Sequence, residues 1–399
     1  MTLFKQTIFQ AGLASAALLT AVSAQSATIG TFNNTTVKIG GYVKLDAMFT
    51  DFGDGALSGG SFGRDFYVPS LTPVGGTSEN TVFDMHARQT RVHLATDSKV
   101  GGKKLKSYIE IDFMVTTKNN PSTNGITADE RISNSYAPRL RHAFIEYDKW
   151  LFGQTWSTFQ NVASLPETVD FIGNTDAGIF VRQPQVRYTN GPWQFSIENP
   201  ETTVTAGGGG TLIADDNELP DFVARYNLKH NDLSLALAGL VRQLTYNDGG
   251  NIDDSTVGWG ISVTGKYMLG KDDIRFGLNT GGGLGRYIGL NVANGAAVDS
   301  SGNLEAIDSL GLFASYRHIW NQKYRSNFTY SMIDIDNNTS LTGVGGGTTQ
   351  GTWSARANLM FDWVKNLTLG GELALANREL ESGVNGDMTR LQFMAMYKF

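Results

Sequence analysis

The chain has 399 residues, a formal net charge of −6 and no cysteine. The acidic balance argues against a nucleic-acid partner, and the missing cysteines exclude a disulfide scaffold, thiolate zinc and iron–sulfur clusters. With 47 glycines, 11% aromatics and only 9 prolines, the composition suits many strands and turns and not disorder.

The first element reads as an export signal. Lys5 supplies the positive n-region, Ile8 to Val22 a short apolar core, and Val22-Ser23-Ala24 a small-residue cleavage site. The expected division is residues 1–24 as signal peptide and 25–399 as a single domain. The apolar run falls short of the ~20 residues that a spanning helix wants. No later stretch holds 18 continuous apolar residues. A membrane protein built from this chain must therefore be a β-barrel, because lipid leaves no other way to satisfy the backbone.

After the signal, segments of roughly ten residues alternate apolar and polar, the period of a strand with one face in lipid and the other in water. In the first, Val37, Ile39, Val43, Leu45, Ala47 and Phe49 share one face, and Lys38, Tyr42, Lys44 and Asp46 the other. The run Leu105 to Val115 and the run Trp353 to Trp363 repeat the pattern. Counting predicts sixteen strands near 37–49, 83–96, 105–115, 138–148, 150–156, 180–189, 192–199, 220–229, 233–246, 256–268, 273–282, 306–319, 323–335, 351–363, 367–380 and 388–399. The fourth and fifth alternate poorly. The fold class expected is all-β: a transmembrane antiparallel barrel of about 16 strands around a water-filled lumen.

Connections alternate between tight turns such as Asn190-Gly191-Pro192 and long polar loops near 50–82, 116–137, 157–179, 200–219, 283–305 and 336–350. That asymmetry belongs to outer-membrane barrels, long loops outside. Trp150, Trp193, Trp259, Tyr267, Trp353 and Trp363 fall near strand ends on apolar faces, where rings suit the headgroup level. In the last strand Leu391, Phe393, Ala395, Tyr397 and Phe399 share one face. The terminal Phe399 with Tyr397 two residues earlier resembles the recognition signal of the barrel assembly machinery.

Arginine on a lipid face costs roughly 2–4 kcal/mol at the midplane, so strand arginines should face the lumen. Arg91, Arg141, Arg187, Arg225, Arg242, Arg275, Arg325, Arg356 and Arg390 qualify, with Lys44 and Lys266. Parity supports Arg187, Arg225 and Arg390; at Arg141 the neighbours Leu140 and His142 leave the face open. A ring of arginines in a narrow pore attracts anions and grips carboxylates with paired hydrogen bonds. The alternative is that these arginines pair with Glu110, Asp112 or Glu372 and hold the wall together. The loop from Ser157 to Gly178 carries Leu165, Pro166, Val169, Phe171 and Ile172 and is too apolar to lie in water. It is expected to fold inward as a constriction, burying those residues and placing Glu167, Asp170 or Asp176 in the pore beside Phe171.

Three segments carry a family resemblance: Gly153-Gln154-Thr155-Trp156-Ser157-Thr158-Phe159, Leu165-Pro166-Glu167-Thr168-Val169-Asp170-Phe171, and Arg182-Gln183-Pro184-Gln185-Val186-Arg187-Tyr188. Pro138-Arg139-Leu140-Arg141-His142-Ala143-Phe144 and Arg88-Gln89-Thr90-Arg91 add to it. Together they resemble the DcaP-like porin family, most specifically between 138 and 188. The resemblance implies a homotrimer of sixteen-stranded outer-membrane channels for small anions, dicarboxylates especially. Combined with strand placement, the expected anion path comprises Arg91, Arg139, Arg141, Arg182, Arg187, Arg225, Arg242 and Arg286. Some family members carry a coiled-coil segment before the barrel. Here about a dozen residues separate Ala24 from Val37 without heptads, so any oligomer should be held by the barrel walls.

Other signals are weak. The five histidines share no metal-ligand spacing. Gly281-Gly282-Gly283-Leu284-Gly285-Arg286 lacks the Lys-Ser/Thr of a phosphate loop and reads as a flexible strand end. No metal or cofactor is expected. The leading reading is an anion-preferring porin, not an enzyme, with outer-membrane lipid and lipopolysaccharide around it. The alternatives are a weakly selective general porin, and a receptor or adhesin using the long loops.

Overall fold

In the computed structural model, residues 26–114, 134, 136–205, 210–214, 216–250 and 252–399 are described. The predicted signal peptide and most of the second long loop lie outside them.

Sixteen strands form the wall: β1 (Thr35–Phe52), β2 (Asn80–His86 continued by Arg91–Val100), β3 (Lys103–Asp112), β4 (Arg139–Tyr147), β5 (Trp150–Trp156), β6 (Arg182–Asn190), β7 (Trp193–Glu198), β8 (Asp221–His230), β9 (Leu233–Asn247), β10 (Asp253–Leu269), β11 (Asp272–Gly282), β12 (Asp308–Ile319), β13 (Tyr324–Asp336), β14 (Thr349–Val364), β15 (Leu367–Leu380) and β16 (Asn385–Lys398). Each pairs antiparallel with the next, and β16 returns to β1, so the sheet closes and no wall strand is left as an edge. Every predicted segment corresponds to one of these strands. The seam ends at Phe399, whose N–H donates to the Gly41 carbonyl and whose carbonyl accepts from the Gly41 N–H, both at 3.1 Å. A short strand, Ala27–Phe32, folds back on the start of β1 and continues the same column below the chain end.

The pleat sorts the side chains. On β1, Val43 and Leu45 lie on the outer, exposed face, whereas Lys44 and Asp46 are 3% and 0% exposed in the lumen. The tryptophans of the sequence reading lie on the outside. Trp150 packs on Tyr188 of the neighbouring strand at 4.9 Å between ring centroids, and Trp193 on Tyr226 at 4.7 Å. Turns at the short-loop end use left-handed residues suited to tight hairpins: Asp148, Asn231 and Asn366 have φ of 55°, 48° and 68°.

Two departures from regular alternation shape the lumen. Between Ala87 and Thr90 the second strand is interrupted, and side chains replace the backbone ladder: the Lys44 N–H donates to the Thr90 hydroxyl at 3.2 Å and the Lys44 ammonium to Gln89 at 2.9 Å. On β4 the register against β3 slips, so that Glu110 faces His142 and Ile111 faces Leu140. Arg141 is the extra residue of this β-bulge. The slip resolves the face left open by the sequence: Leu140 is exposed, while Arg141 and His142 are both buried in the lumen.

The loops at the long-loop end do not stay in water. Residues 157–181 turn into the barrel, as the apolar composition predicts. Val169 is fully buried and Ile172 nearly so. The first loop and the loop after β11 also fold in. Phe66, Met114 and Ile172 form one apolar cluster with Phe171, Phe180 and Leu290, drawn from four loops. Phe159 and Ile179 of the inward loop pack with Leu284 and Tyr287, and Ile179 bridges Ile288. The glycine run 281–285 is thus where β11 ends and a second loop enters the mouth, a packing role that a flexible strand end does not have.

Candidate functional site

The inward loop lies along one half of the inner wall. Its Gln160 carbonyl accepts from Arg225 on β8 at 2.7 Å, and its Ala177 carbonyl from Asn279 on β11 at 2.7 Å. Further on, Val169 donates to Glu372 of β15 at 2.9 Å and accepts from Lys44 of β1 at 2.7 Å. The loop therefore spans the wall from β8 round to β1. At its start Thr158 also donates to Glu198 of β7 at 2.8 Å; among the described residues the loop makes no hydrogen bond to the β2–β5 half.

That half carries an arginine ladder. On β3, Glu110 and Asp112 point inward, and arginines from β2 and β4 converge on them. Arg139 binds Asp112 through Nε and Nη2, both at 2.9 Å, a fork-on-fork pair. Arg141 bridges the two acids, 2.8 Å to Glu110 and 3.0 Å to Asp112. Arg91 stands further off, 3.5 Å from Glu110 and 3.9 Å from Asp112, with its guanidinium 5.2 Å from the Tyr42 ring. Tyr108 donates to the second Glu110 oxygen at 2.8 Å. Two carboxylates thus hold three arginines in place without cancelling their charge.

Arg182 adds to this charge and, among the described residues, has no carboxylate of its own. Its guanidinium lies 4.6 Å from the Trp156 ring centroid and 5.8 Å from that of Phe180, a stacking arrangement that leaves hydrogen-bond donors unused; its Nη1 has no partner. The Phe171 ring of the inward loop sits 5.9 Å from both Arg139 and Arg141. Cations on one wall therefore face an aromatic edge on the loop.

Towards the short-turn end come Arg187 on β6 and Arg225 on β8. Arg187 makes a single 3.4 Å contact with the Trp156 carbonyl, and its Nε is unpartnered. Arg225 donates to Asn227 at 2.8 Å and to Gln160. Among the described residues neither forms an ion pair.

The remaining expected positions hold loops. Arg242 lies 3.4 Å from Asp221 and donates to the carbonyls of Gly283, Leu284 and Glu201. Arg286 bonds Gln183 and the Asn199 carbonyl. Both arginines are consumed in fastening the loops at the mouth. Of the loop acids expected in the pore, Asp170 and Asp176 are buried instead. Glu167 is clasped by Arg325, Asp170 pairs with Arg356 at 3.1 Å, and Asp176 is fully buried, accepting from Tyr67 and Thr352 at 2.7 Å and from Ser354. These acids are the loop's fastenings: a buried carboxylate needs a partner, and the wall supplies hydroxyls and guanidinium groups. The sequence reading missed the aromatic members, Trp156 and Phe180, although the Trp156 segment was already marked as distinctive.

The sequence profile of the DcaP outer membrane protein family matches residues 22–399. The chain belongs to that family. The channel DcaP of Acinetobacter baumannii superposes with a TM-score of 0.77 at 24% identity, covering 94% of this chain and 100% of that one. An anion-selective porin from Comamonas acidovorans gives 0.57 at 12% identity over 92% of this chain and 100% of that one. The trimer form of OmpT from Vibrio cholerae gives 0.54 at 11% identity over 92% and 100%. No curated protein matches. DcaP family membership and the closed sixteen-stranded wall make this chain an outer-membrane porin.

Proposed function

We propose that this porin prefers small anionic solutes, dicarboxylates in particular, and passes them along the arginine wall of β2–β8. The observation that supports this reading is the uneven pairing of the lumen arginines. Arg91, Arg139 and Arg141 share two carboxylates, and among the described residues Arg182, Arg187 and Arg225 have none. An anion leaving the Arg182 level meets Arg187 and Arg225 next, so several moderate sites succeed one another. Passage needs binding strong enough to enter and weak enough to leave. The DcaP resemblance supports the dicarboxylate class, and the OmpT trimer supports assembly as a homotrimer through the barrel walls.

The test is a planar-bilayer recording of the purified porin in a potassium chloride gradient. The reversal potential should take the sign of chloride preference, conductance should fall in three equal steps, and a dicarboxylate should reduce the chloride current. A cation-selective reversal potential overturns the reading.

A further inference from the structure

Across the lumen from the ladder, at the short-turn end of β10–β12, lies a second group of cations that the proposed path does not use. Lys266 and Arg275 are cross-strand partners, and Asp273 and Arg317 are another such pair one step nearer the turn. The three cations converge on the one acid. Arg275 Nε is 2.8 Å from Asp273 Oδ1; Arg317 Nη2 and Lys266 Nζ are 2.6 Å and 3.4 Å from Oδ2. Arg275 also donates to the Leu165 carbonyl of the inward loop, so the group sits directly beneath that loop.

The charge here is not balanced. A carboxylate that serves only to hold a wall is satisfied by one bidentate arginine; this one is shared by three cations. The acid is sealed, 0% exposed, whereas the side chains of Lys266 and Arg317 keep about a quarter of their surface open. The next cation along the wall, Arg325, does not contribute to the surplus, since Glu167 and Asp362 both bind it. Taken together with Arg325 and its two acids, the combined cluster still carries one positive charge in excess.

We propose that Lys266, Arg275 and Arg317 form a second anion station at the periplasmic end of the lumen, taking a multivalent oxyanion such as a carboxylate or phosphate. The station rests on the reading of the channel as anion-conducting. Asp273 preorganises it: the buried acid holds three like charges together that would otherwise repel one another, and an arriving oxyanion meets donors already aimed at one point. Separate stations on opposite walls, one above the inward loop's crossing and one below, let an anion be handed on without one deep well. They also give the two mouths different affinities.

The experiment uses the whole porin inserted with known orientation, with inorganic phosphate added to one side at a time and chloride current recorded. Phosphate on the periplasmic side should reduce the current in the wild type. Lys266→Gln should weaken that block severalfold, Lys266→Arg should retain it, and Asp273→Asn should strengthen it, because the surplus charge grows. A wild type without periplasmic-side block overturns the station, and so do glutamine and asparagine variants that shift the block in the same direction or not at all. The chloride reversal potential of the wild type reports on the anion reading independently, so failure of that reading is distinguishable. If Asp273→Asn does not assemble, the Lys266→Gln and Lys266→Arg pair decides alone.

Discussion

Arg325 of β13 clasps Glu167 of the inward loop: its Nε lies 2.9 Å from each carboxylate oxygen and its Nη2 2.6 Å from one of them. This pair ties a loop that crosses the lumen to a strand far from its root. Burial alone would push the Glu167 carboxyl up, but the hydrogen bond and charge of Arg325 hold it below its ordinary value of 4.5.

A depressed carboxylate contributes stability above its unfolded pKa and loses it as pH falls through the folded value. The clasp should therefore hold steady from neutral pH down to 4.5 and release below it. Single-channel noise should be flat over the first range and rise over the second. Glu167→Gln should bring that noise to neutral pH, at a cost of about 1–2 kcal/mol to the loop's attachment. Equal noise at all pH values in the wild type would show that the clasp does not set loop motion.

Arg141 and Arg187 should respond differently to truncation. Arg141→Ala leaves Glu110 and Asp112 buried with one fewer counter-ion, a loss of about 3–5 kcal/mol for a broken buried pair, and the yield of folded porin should drop. Arg187→Ala strands no acid. Its yield should match the wild type while anion preference falls and dicarboxylate block weakens. Heat-modifiability on gels together with reversal potentials separates the two; a collapse in Arg187→Ala yield would make it a wall residue.

Gly311 marks where the inward loop touches β12. A Cβ there would fall 2.9 Å from the Ala177 Cα and 2.9 Å from Ile288 Cδ1. Gly311→Val should push the loop off the wall, costing about 1–3 kcal/mol and changing conductance without altering the strand count. An unchanged conductance and thermal midpoint would mean that the two loops accommodate the side chain.

Deleting Phe399 removes both hydrogen bonds to Gly41 at the seam and the terminal aromatic expected to serve as the assembly signal. The truncated chain should accumulate in the periplasm or be degraded. Outer-membrane levels equal to wild type, measured by fractionation, would assign assembly to other features of the last strand.

Much of this porin was legible in its sequence because the lipid boundary imposes a period of two, and that period survives wherever a strand is regular. Most of the sixteen strands followed from it, the fourth and fifth least clearly, and so did the lumen side of Arg187 and Arg225. It failed at Arg141, where one inserted residue breaks the alternation. Inward folding of the 157–181 loop was legible from Val169 and Ile172, which composition alone makes unfit for water. The destination of its acids was not: Asp170 meets Arg356 and Asp176 meets Thr352 across more than 170 residues of chain, and no local pattern encodes such a meeting. The same holds for Arg242 and Arg286, whose parity or position fits a pore but whose partners are mostly loop carbonyls.

The bulge on β4 also bears on how such a channel can diversify. On a regular strand each residue added or lost transfers every later side chain between lipid and lumen, so most length changes are lethal. At Arg141 the extra residue is already absorbed: Leu140 and Ala143 hold their outward places on either side while two successive side chains face the lumen. Losing one of those two would return the strand to plain pleating with its lipid face intact. The solute-facing chemistry is therefore evolvable at this point independently of the membrane-facing surface. Descendants of this barrel can rewrite this stretch of their interior, by exchange or by single-residue deletion, without renegotiating their fit to the bilayer.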